Sequence, residues 1–291
     1  MDSNIIRKKN TQGGFPVRRA VQAITAVAQN GYLKGFVDGS IYRGASKRFC
    51  VPGLNCYSCP GALGACPIGS IQALSINPRI NFSFYVYGFI LLMGIIAGRF
   101  VCGFLCPFGL IQELLYKIPL KKLREYKVFR ILNKLKYVVL LVLVIGIPSF
   151  LTISGKVGFP AFCKWICPTG TLEAGIPLAI ANSRISSAVG LLFIWKAAVL
   201  LLVIFFSIKI FRPFCRFICP LGALYSLLNR ISIVHIRTEH ASCTNCGKCA
   251  AICPMRTDSP DSLECIRCGK CVSSCGNKSK HWSARRKGVR S

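Results

Sequence analysis

Long uncharged apolar stretches alternate along this chain with short polar stretches that carry cysteine. Three of the apolar stretches predict membrane-spanning helices. Residues 80–98 hold no charge and include FILLMGIIAG, residues 137–155 (YVVLLVLVIGIPSFLTISG) are also uncharged, and residues 185–208 hold a single lysine, Lys196. Each reaches the roughly 20 residues needed to cross a hydrocarbon core about 30 Å thick. Lys196 reads as a side chain that snorkels toward the interface, with a functional role as the alternative. Residues 17–37 form a weaker fourth candidate. They contain Gln22, Gln29, Asn30 and Lys34, so such a helix must be sheltered by the others or lie at the interface.

Charge adds a direction to these spans. The loop 102–136 carries eight basic residues and the chain from 212 onward fourteen, whereas the loop 154–184 carries three. Cytoplasmic loops of membrane proteins collect Lys and Arg, so 102–136 and the C-terminal part are expected inside, with 38–79 and 154–184 outside. Residues 110–136 read as a basic amphipathic stretch on the inner surface. The overall balance, 38 Lys and Arg against 9 Asp and Glu with pI near 9.9, would also suit a nucleic-acid binder. No nucleic-acid-binding motif accompanies it, and a mean hydropathy of +0.50 favours the membrane reading. No cleavable signal peptide is expected, because residues 1–16 are polar and no apolar stretch with a small-residue cleavage site follows directly.

The 18 cysteines then assign chemistry. At the C-terminal end, Cys243, Cys246, Cys249 and Cys253 form CxxCxxCxxxC followed by Pro254, and Cys265, Cys268, Cys271 and Cys275 repeat the pattern with Gly276 in place of proline. In two-cluster ferredoxins the fourth cysteine of each run ligates the other cluster. One [4Fe–4S] cluster is therefore expected on Cys243, Cys246, Cys249 and Cys275, and a second on Cys265, Cys268, Cys271 and Cys253. Zinc sites or disulfides fit a doubled run of eight at this spacing poorly.

A second motif recurs in the membrane part: CGFLCPFGLIQ (102–112), CKWICPTGTLE (163–173), CRFICPLGALY (215–225) and the variant CPGALGACPIGSIQ (59–72). Each contains C-P-x-G, in which proline interrupts a helix and glycine permits a tight turn. Backbone amides in such a turn can donate hydrogen bonds to cluster sulfurs. Cys102, Cys106, Cys215 and Cys219 share the expected cytoplasmic side and supply the four thiolates of one cluster. Outside lie Cys50, Cys56, Cys59, Cys66, Cys163 and Cys167. The shared turn favours an outer cluster on Cys59, Cys66, Cys163 and Cys167. The competing set is Cys50, Cys56, Cys59 and Cys66, and a leftover pair could form a disulfide outside the cytoplasm.

Other cofactors find no support. The three histidines, His235, His240 and His281, all follow the last span, and there is no CxxCH, so haem is not expected. There is no GxGxxG after a strand pattern. Glu113 and Glu173 each follow a C-P-x-G turn and could handle protons beside a quinol, but interfacial polar residues are the plainer reading.

Paired CxxxCP motifs after spans, with a C-terminal double CxxCxxCxxxC, resemble the NapH-type membrane ferredoxins, a family of 4Fe-4S-binding membrane proteins related to NosR and CcoG. The resemblance covers about 80–276. It implies electron transfer between the quinol pool or a cytoplasmic donor and an extracytoplasmic partner. The segment 50–69 and a third CxxxCP at 163–167 read as additions to the family pattern.

Together these signals predict a mainly α chain. A polytopic membrane domain of three to four transmembrane helices, with CxxxCP cluster-binding loops, spans 1–230. A two-cluster bacterial-ferredoxin-like α+β domain covers 231–280, and a basic tail 281–291. The chain is expected as a multi-pass protein of the cytoplasmic membrane, with the ferredoxin domain in the cytoplasm. It would pass electrons to or from an extracytoplasmic partner, as one component of an oxidoreductase system in a complex with redox partner proteins. A quinol-oxidising subunit, with quinone as a further cofactor, and a maturation factor for another metalloenzyme are the alternatives.

Overall fold

The computed structural model describes residues 15–76, 84–123, 127–182, 190–257 and 259–284. Within them the chain is mainly helical, with one two-stranded sheet near the C-terminus. The first fourteen residues and most of the basic tail fall outside this set.

Among the described residues two helices are long and apolar enough to cross a membrane, Ile131–Ile153 and Leu191–Lys209. Most of each faces outward, with Leu141, Leu201 and Phe205 exposed, unlike the core helix of a soluble protein. Of the three to four expected spans, these two are seen among the described residues. The described part of 80–98 is the Phe84–Ile96 helix, 13 residues long, and 80–83 lie outside the described residues, as do 185–189 of the third candidate. The 17–37 candidate divides into Phe15–Gln29 and Lys34–Asp38, and its Arg18 and Gln22 are buried. The 110–136 stretch is not one surface helix. Pro107–Tyr116 ends in a turn at Lys117, and the next helix, from Lys127, runs straight into the long span and buries Lys136.

The long helix is the spine of the fold. It runs as Lys127–Val139, widens to a π-helix over Leu140–Gly146 and continues as Ile147–Ile153. Two short helices lie against it from opposite ends. Pro67–Ile76 packs on Ile147–Ile153 and on the π segment, and Pro220–Leu228 packs on Lys127–Val139 and the same segment. Thr152 Oγ1 donates to the Ile76 carbonyl at 3.1 Å, fixing the C-terminus of the first short helix. Tyr137 and Ser226 hydroxyls meet at 2.7 Å near the C-terminus of the second. These anchors stand about 22 Å apart along the spine at 1.5 Å per residue. Both short helices therefore begin near the middle of the spine, and each begins at a Cys-Pro pair.

The sheet joins β1 (Val234–Thr238) to β2 (Lys280–Ala284), antiparallel with Ile236 opposite Trp282. Between the strands lie two cysteine loops, each followed by a short helix, Lys248–Ile252 and Lys270–Ser273. The loops repeat one conformation: Asn245 and Arg267 have φ near +50°, and Gly247 and Gly269 have φ of 72° and 76°. This left-handed backbone wraps each CxxC around the space its thiols face. The unit docks on the membrane part through Asn229, whose Nδ2 donates to the carbonyls of Ser262 (3.0 Å) and Cys265 (3.1 Å). Arg99 Nη1 and Lys136 Nζ both pair with Glu264, at 2.6 and 2.5 Å.

Candidate iron–sulfur sites

The C-P-x-G turns work as helix starts. Cys106, Cys167 and Cys219 each occupy the N-cap with extended backbone, and proline follows at the first helical position, where its missing N–H costs nothing. The Gly222 amide donates to Cys219 Sγ at 3.3 Å, as an N3 amide donates to an N-cap acceptor. The Gly69, Gly109 and Gly170 amides do the same for Cys66, Cys106 and Cys167. Each helix thus aims its positive end at a sulfur, which favours thiolate there. The amide-to-sulfur bonds expected from sequence are present at all four turns.

The position six residues after each of these cysteines is the next rung of the pattern. Gln112 Nε2 donates to Cys215 Sγ at 3.0 Å, and its Oε1 accepts the Phe214 amide at 3.2 Å. Gln72 does the same on the other side, with Nε2 to Cys163 Sγ at 3.1 Å and Oε1 from the Phe162 amide at 3.0 Å. The equivalent residues of the other two modules are Glu173 and Tyr225. Glu173 Oε2 accepts the Cys56 amide at 2.8 Å, and the Tyr225 hydroxyl donates to the Pro52 carbonyl at 2.9 Å. The membrane part is therefore built from two matched pairs of modules.

Cys102, Cys106, Cys215 and Cys219 line one buried cavity together with Pro52, Gly53, Leu54 and Tyr225. On the other side Cys56 stands with Cys66, Cys163 and Cys167: its sulfur lies against Gly170 next to that of Cys167, and the four thiols act on one another electrostatically. Cys59, placed in the favoured outer set from sequence, lies near Cys56 at the edge of this group. Its Sγ is 3.5 Å from Asn30 Oδ1, and Lys47 lies beside it. Cys50 is 3.8 Å from Ser70 Oγ. The shared motif suggested Cys59; the turn Cys59–Ala62 folds back on Asn30, and the loop before it brings in Cys56. All the cysteines are free thiols, so the pair left over from the favoured set, Cys50 and Cys56, forms no disulfide.

In the C-terminal unit Cys253, Cys265, Cys268 and Cys271 line a second cavity with Pro254, Met255 and Ile266. Cys249 reaches its edge, and Cys243, Cys246 and Cys275 stand toward solvent. This cavity adjoins the first: a Cβ on Gly103, next to Cys102, would run into the carbonyl of Ile266, next to Cys265.

These thiols fit cubane clusters better than single ions. Among the described residues no three His, Cys, Asp or Glu side chains are close enough to chelate one ion, as zinc would require. A cube takes one thiolate at each iron, and at least four cysteines line each of the two cavities. Burial pushes the Cys56, Cys66, Cys106 and Cys265 thiols up to about 12, so iron would displace a proton at each.

Charge is distributed unevenly around the sites. At the inner cavity, Arg212 Nη2 pairs with Glu113 Oε1 at 2.7 Å and Arg18 pairs with both carboxylate oxygens, all buried. Burial alone would raise the Glu113 carboxyl, but Arg212 and Arg18 outweigh it and hold the group below the usual carboxylate range. Glu264 is held down in the same way by Arg99 and Lys136. Glu113 is thus neither interfacial nor open to a quinol. The outer site has the half-buried Glu173, which desolvation pushes up to about 8 against the easing of the Cys56 amide. Lys196 is half-buried and lies close enough to act on the Cys163 charge.

The model of a 4Fe-4S binding domain matches residues 82–124, 138–176 and 191–238, one CxxxCP module in each. An uncharacterized protein of Methanocaldococcus jannaschii is 30% identical over 229 residues, covering 75% of this chain and 77% of its own. The ferredoxin-type protein NapH of Haemophilus influenzae is 24% identical over 57% of this chain and 50% of its own length. The methylamine utilization ferredoxin-type protein MauN of Paracoccus denitrificans is 29% identical over 55% and 50%. This chain belongs to the NapH-type family of ferredoxin-like membrane proteins. It is a ferredoxin-type electron-transfer protein that binds [4Fe–4S] clusters. The third module at 163–167 lies inside the family match and is no addition to it. No solved structure matches the chain.

Proposed function

We propose that this NapH-type protein is a transmembrane electron conduit with four [4Fe–4S] sites in line. From the cytoplasmic end they are Cys243/Cys246/Cys249/Cys275, Cys253/Cys265/Cys268/Cys271, Cys102/Cys106/Cys215/Cys219 and Cys56/Cys66/Cys163/Cys167. The grouping of the first set rests on the doubled spacing alone. The observation that carries the reading is the continuity of the series: the second site abuts the third at Ile266 and Gly103, and the third is linked to the fourth by the segment 52–56. Each cluster would supply one-electron exchange; the chain supplies the thiolates, the amide donors and the buried charges that set potential.

The Ile131–Ile153 and Leu191–Lys209 helices are taken to span the bilayer, with the basic loop 102–136 and the ferredoxin unit in the cytoplasm. Across a core about 30 Å thick, sites at the two faces would be far apart. Helices that fold back to mid-spine bring both membrane sites inward, so no quinone is needed to join them. The outer site then faces an extracytoplasmic redox partner.

Iron and acid-labile sulfide per chain, measured on anaerobically purified protein, test the reading. About sixteen irons are expected for four clusters. About eight would leave only the ferredoxin pair loaded and remove the conduit.

A further inference from the structure

The segment Pro52–Cys56 touches both membrane sites. At the inner one Pro52, Gly53 and Leu54 form part of the cavity wall, and the Leu54 amide donates to the Cys106 sulfur. At the outer one Cys56 stands among Cys66, Cys163 and Cys167. Leu54 and Cys56 are two residues apart, at most about 7 Å of extended chain. The inner contact is tight, since a Cβ on Gly53 would stand 3.0 Å from the Cys106 Cα and 3.0 Å from the Leu105 carbonyl oxygen.

Matched residues hold the two ends. Tyr225 fixes Pro52 and Glu173 fixes Cys56, and each stands six residues after the C-P cysteine of its module. Their counterparts Gln72 and Gln112 steady a cysteine instead. Tyr225 is fully buried and feels the charge of Cys102 and Cys106 on one side and of Cys66 on the other. It therefore stands between the sites.

We infer that Pro52–Cys56 is the electron bridge between the inner and outer sites, with Tyr225 and Glu173 as its positioning residues. The inference rests on the proposed reading that both sites hold [4Fe–4S]. The step is a single-electron exchange in which one site is oxidised as the other is reduced. No bond forms or breaks and no proton moves.

Gly53→Ala in the full chain tests the bridge. The added methyl must push the segment off the inner site while all eight cysteines of the pair remain. Iron content is expected to match wild type. Magnetic broadening between the two sites in the dithionite-reduced protein should narrow, and electron equilibration between them after flash reduction should slow by roughly an order of magnitude. Wild-type iron with unchanged broadening and rate would overturn the bridge. If Gly53→Ala loses iron, Tyr225→Phe, which removes only the hydroxyl held by Pro52, is read by the same criteria. Iron loss in both variants would make the segment part of the ligand cage alone, which also overturns the bridge. A wild-type chain with about eight irons removes the underlying reading instead.

Discussion

The inner and outer membrane sites share one plan and differ in two ways. Both use paired C-P-x-G helix starts, and both have a glutamine that donates to the first cysteine of the partner module. The inner site takes its fourth thiol from within a module, at Cys102. At the equivalent outer position, four residues before Cys66, stands Ala62, and a separate loop supplies Cys56. The inner site is also set among four buried cations, Arg18, Arg99, Arg212 and Lys136, against two carboxylates, whereas the outer has Lys47 and Lys196 with Glu173. Positive surroundings favour the more negative, reduced state of a cluster. The inner site should therefore hold an electron more firmly, and the duplicated plan yields two sites of unequal potential.

Exchanging the fourth thiol challenges this comparison most severely. Cys56→Ser should remove about four irons, one cluster, while Cys59→Ser keeps the wild-type content by iron and sulfide analysis. The opposite result would restore the assignment that motif matching favours. Next in size is Glu264→Gln, which leaves Arg99 and Lys136 buried with their shared carboxylate removed. Breaking such a pair costs about 3–5 kcal/mol. Faster proteolytic release of the ferredoxin unit, with the outer site's spectrum unchanged, is the expected readout; an unchanged rate would show that the pairs do not hold the two parts together. The smallest effects belong to the glutamines. Gln112→Leu should lower the inner site's reduction potential alone and Gln72→Leu the outer's alone, each by losing one N–H···S bond. Redox titration followed by electron paramagnetic resonance separates them, and a shift at both sites from either variant would mean that the modules are not independent.

Much of the site was legible without coordinates, because iron–sulfur ligation leaves its spacing in sequence. Loop charge grouped Cys102, Cys106, Cys215 and Cys219, and the doubled CxxCxxCxxxC and the C-P-x-G turns follow from local pattern. So does the residue six places after each C-P cysteine. Gln72, Gln112, Glu173 and Tyr225 end the four aligned modules, yet their reach across to other modules has no local signature. Of the three to four spans that hydropathy predicts, two are helices long enough to cross a membrane among the described residues. The Phe84–Ile96 helix is as apolar as the two long ones and begins where the described segment 84–123 begins.

By itself, the sequence determined the chemistry, namely thiolates in cluster spacing, helix starts built from cysteine, proline and glycine, and apolar helices to carry them. The tertiary structure decided which thiols meet. Cys56 stands with Cys66, Cys163 and Cys167, while the turn after Cys59 folds back on Asn30. The two membrane sites approach each other because their helices fold back to the middle of one spine. Ligation depends on the position of a sulfur in space, and across loops that position is set by packing between distant segments, not by the spacing of residues along the chain.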